Sequence, residues 1–266
     1  MSSQRRHDDQ VVDRFTKTAA AFAADARARR SGDAERFAQF VTAGFANASQ
    51  VAAVDVACGP GTYTFPMARR VRKAIGVDLT PAMLEQARAE AARQGLTNLE
   101  WKVGDSHALA FADGFAGIAG VGYSLHHMLD AESAVAEMAR IVSPGGRVGI
   151  VDLVIPEGAD AAANEAIERA RDSSHTSKQT GAGIRALLRQ VGLRLLNEES
   201  YRRPYEFDDW MVRAGHPLGD PVYAATRRLL EESIPGDTAG FQPVISPSGA
   251  ISFSSAVCLA VAEKPA

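Results

Sequence analysis

Cysteine is almost missing from this chain: only Cys58 and Cys258 occur, far apart. Two such residues build no disulfide framework, and a reducing cytoplasm is the compartment they point to. An excess of charge is missing too. Lys and Arg total 29 against 32 acidic residues, a net charge of −3, which excludes the basic footprint of a nucleic-acid partner. No apolar run is long enough to span a membrane. The uncharged stretch Gly114 to Leu129 has 16 residues, but four are glycines and two are histidines, and Thr238 to Ala262 is broken by Pro243 and Pro247. The N-terminus, Met-Ser-Ser-Gln-Arg-Arg-His-Asp-Asp, has no apolar h-region and reads as no signal peptide. What is present is an ordinary globular composition, 46% hydrophobic and 23% charged over 266 residues. That suffices for one large domain with a sizeable core. A soluble cytoplasmic protein is expected.

The first 50 residues read as helix. Val11, Val12, Phe15, Ala19 and Phe22 recur at helical spacing, and Phe37, Phe40, Val41 and Phe45 form a second stripe. From Val51 short apolar runs alternate with amphipathic segments. Strands are expected at 51–57, 74–78, 99–103, 117–124 and 147–155. Helices are expected up to about Arg70, from Met83 to Gln94 and from Ala131 to Val142, with Ser143 to Gly146 as a turn. Thr80 is the expected N-cap of the second of these, Pro81 its first residue and Gly95 its end. Strands alternating with helices of this length make βαβ units and a parallel sheet covered on both faces. After Ile155 the pattern loosens. A helix at 184–191, a strand at 193–201, helices near 207–214 and 221–233 and a last strand at 251–262 suggest an antiparallel edge hairpin whose connection folds over the sheet. The expected organisation is residues 1–50 as a helical layer, 51–155 as the ligand-binding core, and 156–266 as cap segments and closing strands of the same domain.

In such sheets ligands bind at the carboxyl ends of the strands, and the strand ends here carry a pattern. Asp55-Val-Ala-Cys-Gly-Pro-Gly-Thr62 spans the end of the first strand and the turn after it, where Gly59 and Gly61 let the backbone turn sharply beside a ligand. Asp78 ends the second strand, where an acid suits the two hydroxyls of a ribose. Gly104-Asp105-Ser106 ends the third, where an adenine would lie. There the Asp105 carboxylate can accept from the amino group and the Ser106 N–H can donate to a ring nitrogen. A dinucleotide needs a third small residue where Thr64 stands, and Asp55 is a poor neighbour for pyrophosphate. S-adenosylmethionine has no phosphate and brings an ammonium, a sulfonium and a ribose, which Asp55 and Asp78 suit better.

These segments resemble class I S-adenosylmethionine-dependent methyltransferases, and within them the ubiquinone/menaquinone-biosynthesis-like group of the methyltransferase 11 type. The resemblance rests on Val54 to Gly61, Val77-Asp-Leu-Thr-Pro-Ala-Met-Leu84, Val103 to Ser106 with Leu109-Ala-Phe111, Ser124-Leu-His-His127 and Pro144-Gly-Gly146. It implies an α/β fold: a doubly wound, seven-stranded, mostly parallel sheet, the Rossmann-like methyltransferase fold, with an N-terminal helical lid and a small cap. It also implies roles for residues. Asp55, Gly59 and Gly61 would face the methionine part of the cofactor, and Asp78 the ribose. Leu79 and Met83 would lie against the adenine, and Gly104, Asp105 and Ser106 would hold its edge. Gly122 and Tyr123 would offer backbone atoms to the ammonium, and Phe15 would belong to the lid. Ala57 replaces the usual first glycine of the loop, Ala116 the usual acid after Phe115, and Ser143 the usual basic residue before Pro144.

For the chemistry, three histidines stand out. His126 and His127 follow the fourth strand at the mouth where an acceptor would enter, and His175 lies after the fifth strand. Each is a candidate acid or base. The alternatives are a helix cap and a packed ring for the pair, and a polar helix end around Arg169, Arg171 and Asp172 for His175. No metal is expected, since the spacing of His126, Asp152 and His175 matches no established ligand set. Trp210, Phe207 and Met211 would line an acceptor pocket or pack on the sheet. The expected reaction is methyl transfer to a small, largely apolar acceptor at oxygen or carbon. An isomerase, cyclase or lyase using the histidines on the same fold is the alternative. The expected partner is a small-molecule substrate, with the oligomeric state open between monomer and homodimer.

Overall fold

The computed structural model describes residues 3–29 and 32–266. Two helices, α1 (Ser3–Arg29) and α2 (Gly32–Thr42), precede the sheet. Then β1 (Ala52–Val56), α3 (Thr64–Ala68), β2 (Lys73–Asp78), α4 (Pro81–Gln94), β3 (Leu99–Val103), β4 (Ala116–Gly122), α5 (Ala131–Ile141) and β5 (Val142–Ile155) alternate. The rest runs α6 (Ala161–Arg171), β6 (Gln179–Thr180), α7 (Gly181–Gln190), β7 (Arg194–Glu206), α8 (Phe207–Arg213), α9 (Pro221–Glu232), β8 (Val244–Ile245) and β9 (Ile251–Glu263).

Seven strands form a continuous order, β3-β2-β1-β4-β5-β9-β7, parallel as far as β5. β9 runs antiparallel between β5 and β7, as the closing hairpin requires. Two further strands of two residues each, β6 beside β5 and β8 beside β9, bring the sheet to nine rather than seven. Such short ladders lie in polar connections and leave no periodic apolar signal. The chain builds β1, β2 and β3 outward, then returns to lay β4 on the other side of β1. The switch point is therefore between β1 and β4, where a crevice opens at the carboxyl ends.

Burial on both faces explains the apolar runs of the central strands. Val54 and Val56 of β1 belong to the core under α5 and α7, while Ala53 belongs to the core under α2 and α3. Strand parity therefore sends Asp55 to the α3 face. α2 lies close on the sheet because Gly149 has no side chain: a Cβ there would collide with Val41 and Phe37. α4 begins after Thr80 with Pro81 and ends on Gly95 in the left-handed region, φ 65°. One expectation differs. Residues 143–146 extend β5 instead of forming a free turn, because Gly145 N–H donates to Lys264 O at 2.8 Å and Lys264 N–H to Gly146 O at 2.9 Å. α6 is a full helix, capped by Asp160, which accepts from the N–H groups of Ala162 and Ala163. The cap around α6, α8 and α9 has its own aromatic core of Tyr205, Phe207, Trp210, Tyr223, Phe241 and Phe253. Among the described residues no helix is long and apolar enough to cross a membrane.

Candidate active site

A cavity of about 290 Å³ occupies the crevice, walled by the strand tips, by α1 and by the cap. Its floor is the loop after β1. Ala57, Gly59 and Gly61 all have positive φ, at 53°, 53° and 88°. Three amides of this loop are spent within the protein. Cys58 N–H donates to Val77 O at 2.9 Å, Gly61 N–H to Cys58 O at 3.0 Å and Gly59 N–H to Asp78 Oδ2 at 2.8 Å, while Pro60 has none to give. A pyrophosphate would need these amides turned outward. Asp78 Oδ1 takes the Thr80 N–H at 2.8 Å. Each carboxylate oxygen thus holds one N–H and keeps acceptor capacity for a neighbouring hydroxyl. Burial raises the Asp78 pKa, and the bonds from Thr80 and Gly59 oppose the rise.

Of the expected cofactor residues, Asp55 and Gly61 are not on the cavity wall. Asp55 is fully buried on the α3 face, where its Oδ2 accepts from the Thr64 hydroxyl at 2.5 Å and its Oδ1 has no partner. Burial pushes its pKa up to about 7. Gly61 serves packing: a Cβ there would press into the rings of Phe65 and Trp101. The other expected cofactor residues, Phe15, Ala57, Gly59, Asp78, Leu79, Met83, Gly104, Asp105, Ser106, Gly122 and Tyr123, all line the cavity. Asp105 already accepts from the backbone N–H and ring Nδ1 of His107, at 2.9 and 2.8 Å. Tyr123 has φ 52°, and its N–H is held by Val151 O at 2.8 Å. The carbonyls of Ala57 and Gly122 face one hydroxyl, Ser124 Oγ, at 3.2 and 3.0 Å. One O–H cannot satisfy both fully, so carbonyl acceptor capacity remains at this tip.

The histidines separate into different environments. His126 and His127 line the cavity, whereas His175 is buried outside its wall, bound through Nε2 to Glu165 Oε2 at 2.6 Å. The His175 ring lies tilted behind that of His126, ring centroids 5.6 Å apart, and does not reach the cavity wall. His126 Nδ1 lies 2.6 Å from Asp152 Oδ1. Burial alone would lower the His126 pKa, but the charge and hydrogen bond of Asp152 outweigh it and raise the value. His127 goes the other way. Burial and the neighbouring His126 push it down to about 3. Its Nδ1 lies 3.2 Å from the Ser174 carbonyl, which fixes a proton there and leaves the lone pair on Nε2. Among the described residues no three His, Cys, Asp or Glu side chains form a group able to hold a metal.

α1 closes the top. His7 Nε2 meets the His127 carbonyl at 2.7 Å, Arg14 pairs with Asp172 at 3.3 Å, and Arg213 of α8 reaches Asp25 at 3.3 Å. Phe15 stands edge-on to His127, centroids 5.1 Å apart. Of the three expected acceptor-pocket residues only Trp210 reaches the cavity; Phe207 and Met211 are in the cap core. Sequence reasoning missed Arg203, Tyr205 and Arg213 on this wall, and read Arg171 only as part of a helix end. One signal was present: Tyr201, Arg203 and Tyr205 alternate along β7, so they share one face.

The family model for a methyltransferase domain matches residues 53–146. The chain is 30% identical over 167 residues to the uncharacterized methyltransferase YcgJ of Bacillus subtilis, which is 62% of this chain and 65% of that protein. It is 30% identical over 158 residues to the uncharacterized YafE of Escherichia coli, 59% of this chain and 76% of that one. It is 33% identical over 106 residues to the demethylmenaquinone methyltransferase of Lactococcus lactis, but this spans only 39% of the chain and 42% of the relative. The crystal structure of YcgJ superposes with a TM-score of 0.78, covering 87% of this chain and 99% of that one at 24% identity.

Proposed function

This chain belongs to the class I S-adenosylmethionine-dependent methyltransferase family, and from that premise we propose that it methylates a small, largely apolar acceptor at oxygen or carbon. One observation carries the cofactor half of the proposal. Asp78 stands on the cavity wall with both oxygens braced, while Cys58, Gly59 and Gly61 of the glycine loop donate their amides within the protein rather than toward the cavity. A phosphate-free nucleoside suits that donor set, and a dinucleotide does not.

When bound, S-adenosylmethionine supplies an electrophilic methyl group on a sulfonium. The protein's part is alignment and exclusion of water. Asp78 would hold the ribose hydroxyls, Asp105 and Ser106 the adenine edge, with Leu79 and Met83 as its apolar bed. The carbonyls at Ala57 and Gly122 would accept from the ammonium. Phe15, Phe22 and Trp210 line the cavity and restrict water. His127, neutral and unprotonated at Nε2, is suited to take the proton of an acceptor hydroxyl. His126 is suited to hold positive charge beside it through its bond to Asp152. The likeness to the Lactococcus lactis demethylmenaquinone methyltransferase supports an apolar body for the acceptor.

The test is incubation of the protein with methyl-labelled cofactor and a panel of small phenols, quinols and activated carbon acids. Label in the acceptor with stoichiometric S-adenosylhomocysteine supports the proposal. Conversion of an acceptor without S-adenosylhomocysteine would instead mean acid–base chemistry at the histidines.

A further inference from the structure

The cap end of the cavity is unlike the strand-tip end. Arg171, Arg203 and Arg213 all reach its wall, with Tyr205 and Trp210 between them. The Arg203 and Arg213 guanidinium carbons lie 5.0 to 5.5 Å from ring centroids of Tyr123 and Tyr205, and that of Arg171 lies 4.3 Å from the Trp210 ring. Arg171 is the least compensated. Its Nε donates to the Trp210 carbonyl at 3.2 Å, and among the described residues no carboxylate lies within ion-pair distance of it. The acids nearest in sequence are engaged elsewhere. Glu168 holds Lys178 Nζ at 2.9 Å, and Asp172 holds Arg14 and the Ser174 hydroxyl. The carboxylate facing Arg203 is Asp33, at a long 3.6 Å, and Arg213 meets Asp25 at 3.3 Å.

Guanidinium groups taken partly out of water and set at one end of a cavity repel one another, and burial pulls the Arg171 pKa down. An anion in their midst would relieve both effects. The fork of an arginine matches a planar carboxylate, and Tyr205 and Trp210 give the same end of the cavity an apolar wall. Resting on the methyl-transfer reading of this same cavity, we propose that the acceptor is an aromatic carboxylate whose carboxylate binds at Arg171 and Arg203 while its ring lies against Tyr205 and Trp210.

Calorimetry on the full chain saturated with S-adenosylhomocysteine tests this, using 2-naphthoate and its uncharged counterpart 2-naphthamide. The carboxylate should bind at least about tenfold more tightly than the amide, the expected effect of a charge-assisted hydrogen bond. Arg171→Gln and Arg203→Gln should each erase most of that preference, and Arg171→Lys should keep part of it. In all three, S-adenosylhomocysteine affinity reports that the fold is intact. Equal binding of the two probes, or binding of neither, with S-adenosylhomocysteine held normally, would overturn the subsite. Failure of S-adenosylhomocysteine to bind, with the carboxylate preference intact, would leave the subsite standing and remove the methyl-transfer reading instead.

Discussion

Replacing Asp78 by asparagine separates two jobs that the side chain performs at once. Its oxygens accept from Gly59 N–H and Thr80 N–H, each at 2.8 Å, and both remain beside the cavity. The amide keeps one acceptor oxygen, so one of the two N–H groups loses its partner, at a cost of about 1–3 kcal/mol in stability. At the ligand, a hydrogen bond to a charged group, about 1.5–3 kcal/mol, becomes a neutral one of about 0.5–1.5 kcal/mol. S-adenosylhomocysteine affinity should therefore fall about tenfold or more. Affinity alone does not distinguish a lost ribose contact from a loosened loop. A cycle does: the 2′-deoxy form of the ligand is titrated calorimetrically into the wild type and the variant. Removing the hydroxyl should weaken binding to the wild type clearly more than to Asp78→Asn, with a coupling of about 1 kcal/mol. If the missing hydroxyl costs both proteins the same, Asp78 does not touch the ribose and the reasoning fails.

Three further predictions concern strain, charge and packing. Ala57 is held at φ 53° where glycine is at ease; Ala57→Gly should raise stability in urea by about 0.5–1 kcal/mol, relief of left-handed strain less the added chain entropy, and a loss would contradict this. The His127 pKa, down from 6.5 to about 3, means that the unfolded chain binds the proton and the folded one does not between those values. Folding stability from this group therefore falls as pH drops below 6.5, by about 1.4 kcal/mol per pH unit at most. The stability of His127→Gln relative to wild type should accordingly rise from pH 6.5 to pH 5, and a flat difference would refute the assignment. Gly149→Ala places a Cβ against Val41 and Phe37 in the core, and should cost about 1–3 kcal/mol in denaturant unfolding.

The sheet was readable because its middle strands are buried on both faces. Runs such as Ala52–Val56 and Lys73–Asp78 stand out between glycines and polar turns, and the hairpin of β7 and β9 follows from the two long strands that end the chain. Burial on both faces also hid something. With no polar side to β1, nothing in the run said whether Asp55 looks into the crevice or toward α3, where the Thr64 hydroxyl holds it. The strand-tip residues Asp78, Asp105 and Tyr123 were legible because chain order alone brings successive tips together. Arg171, Arg203 and Arg213 were not. They come from α6, β7 and α8, and only the packing of the cap on the sheet sets them around one cavity. His175 looked equivalent to His126 in sequence, and the 2.6 Å bond to Glu165 is what sets it apart.

A crystal structure grown with S-adenosylhomocysteine tests the central claim most directly. The ribose hydroxyls should lie on Asp78, with the adenine between Leu79 and Met83 and its edge at Asp105 and Ser106. Density for the compound elsewhere, or within the cavity but turned away from Asp78, would contradict it.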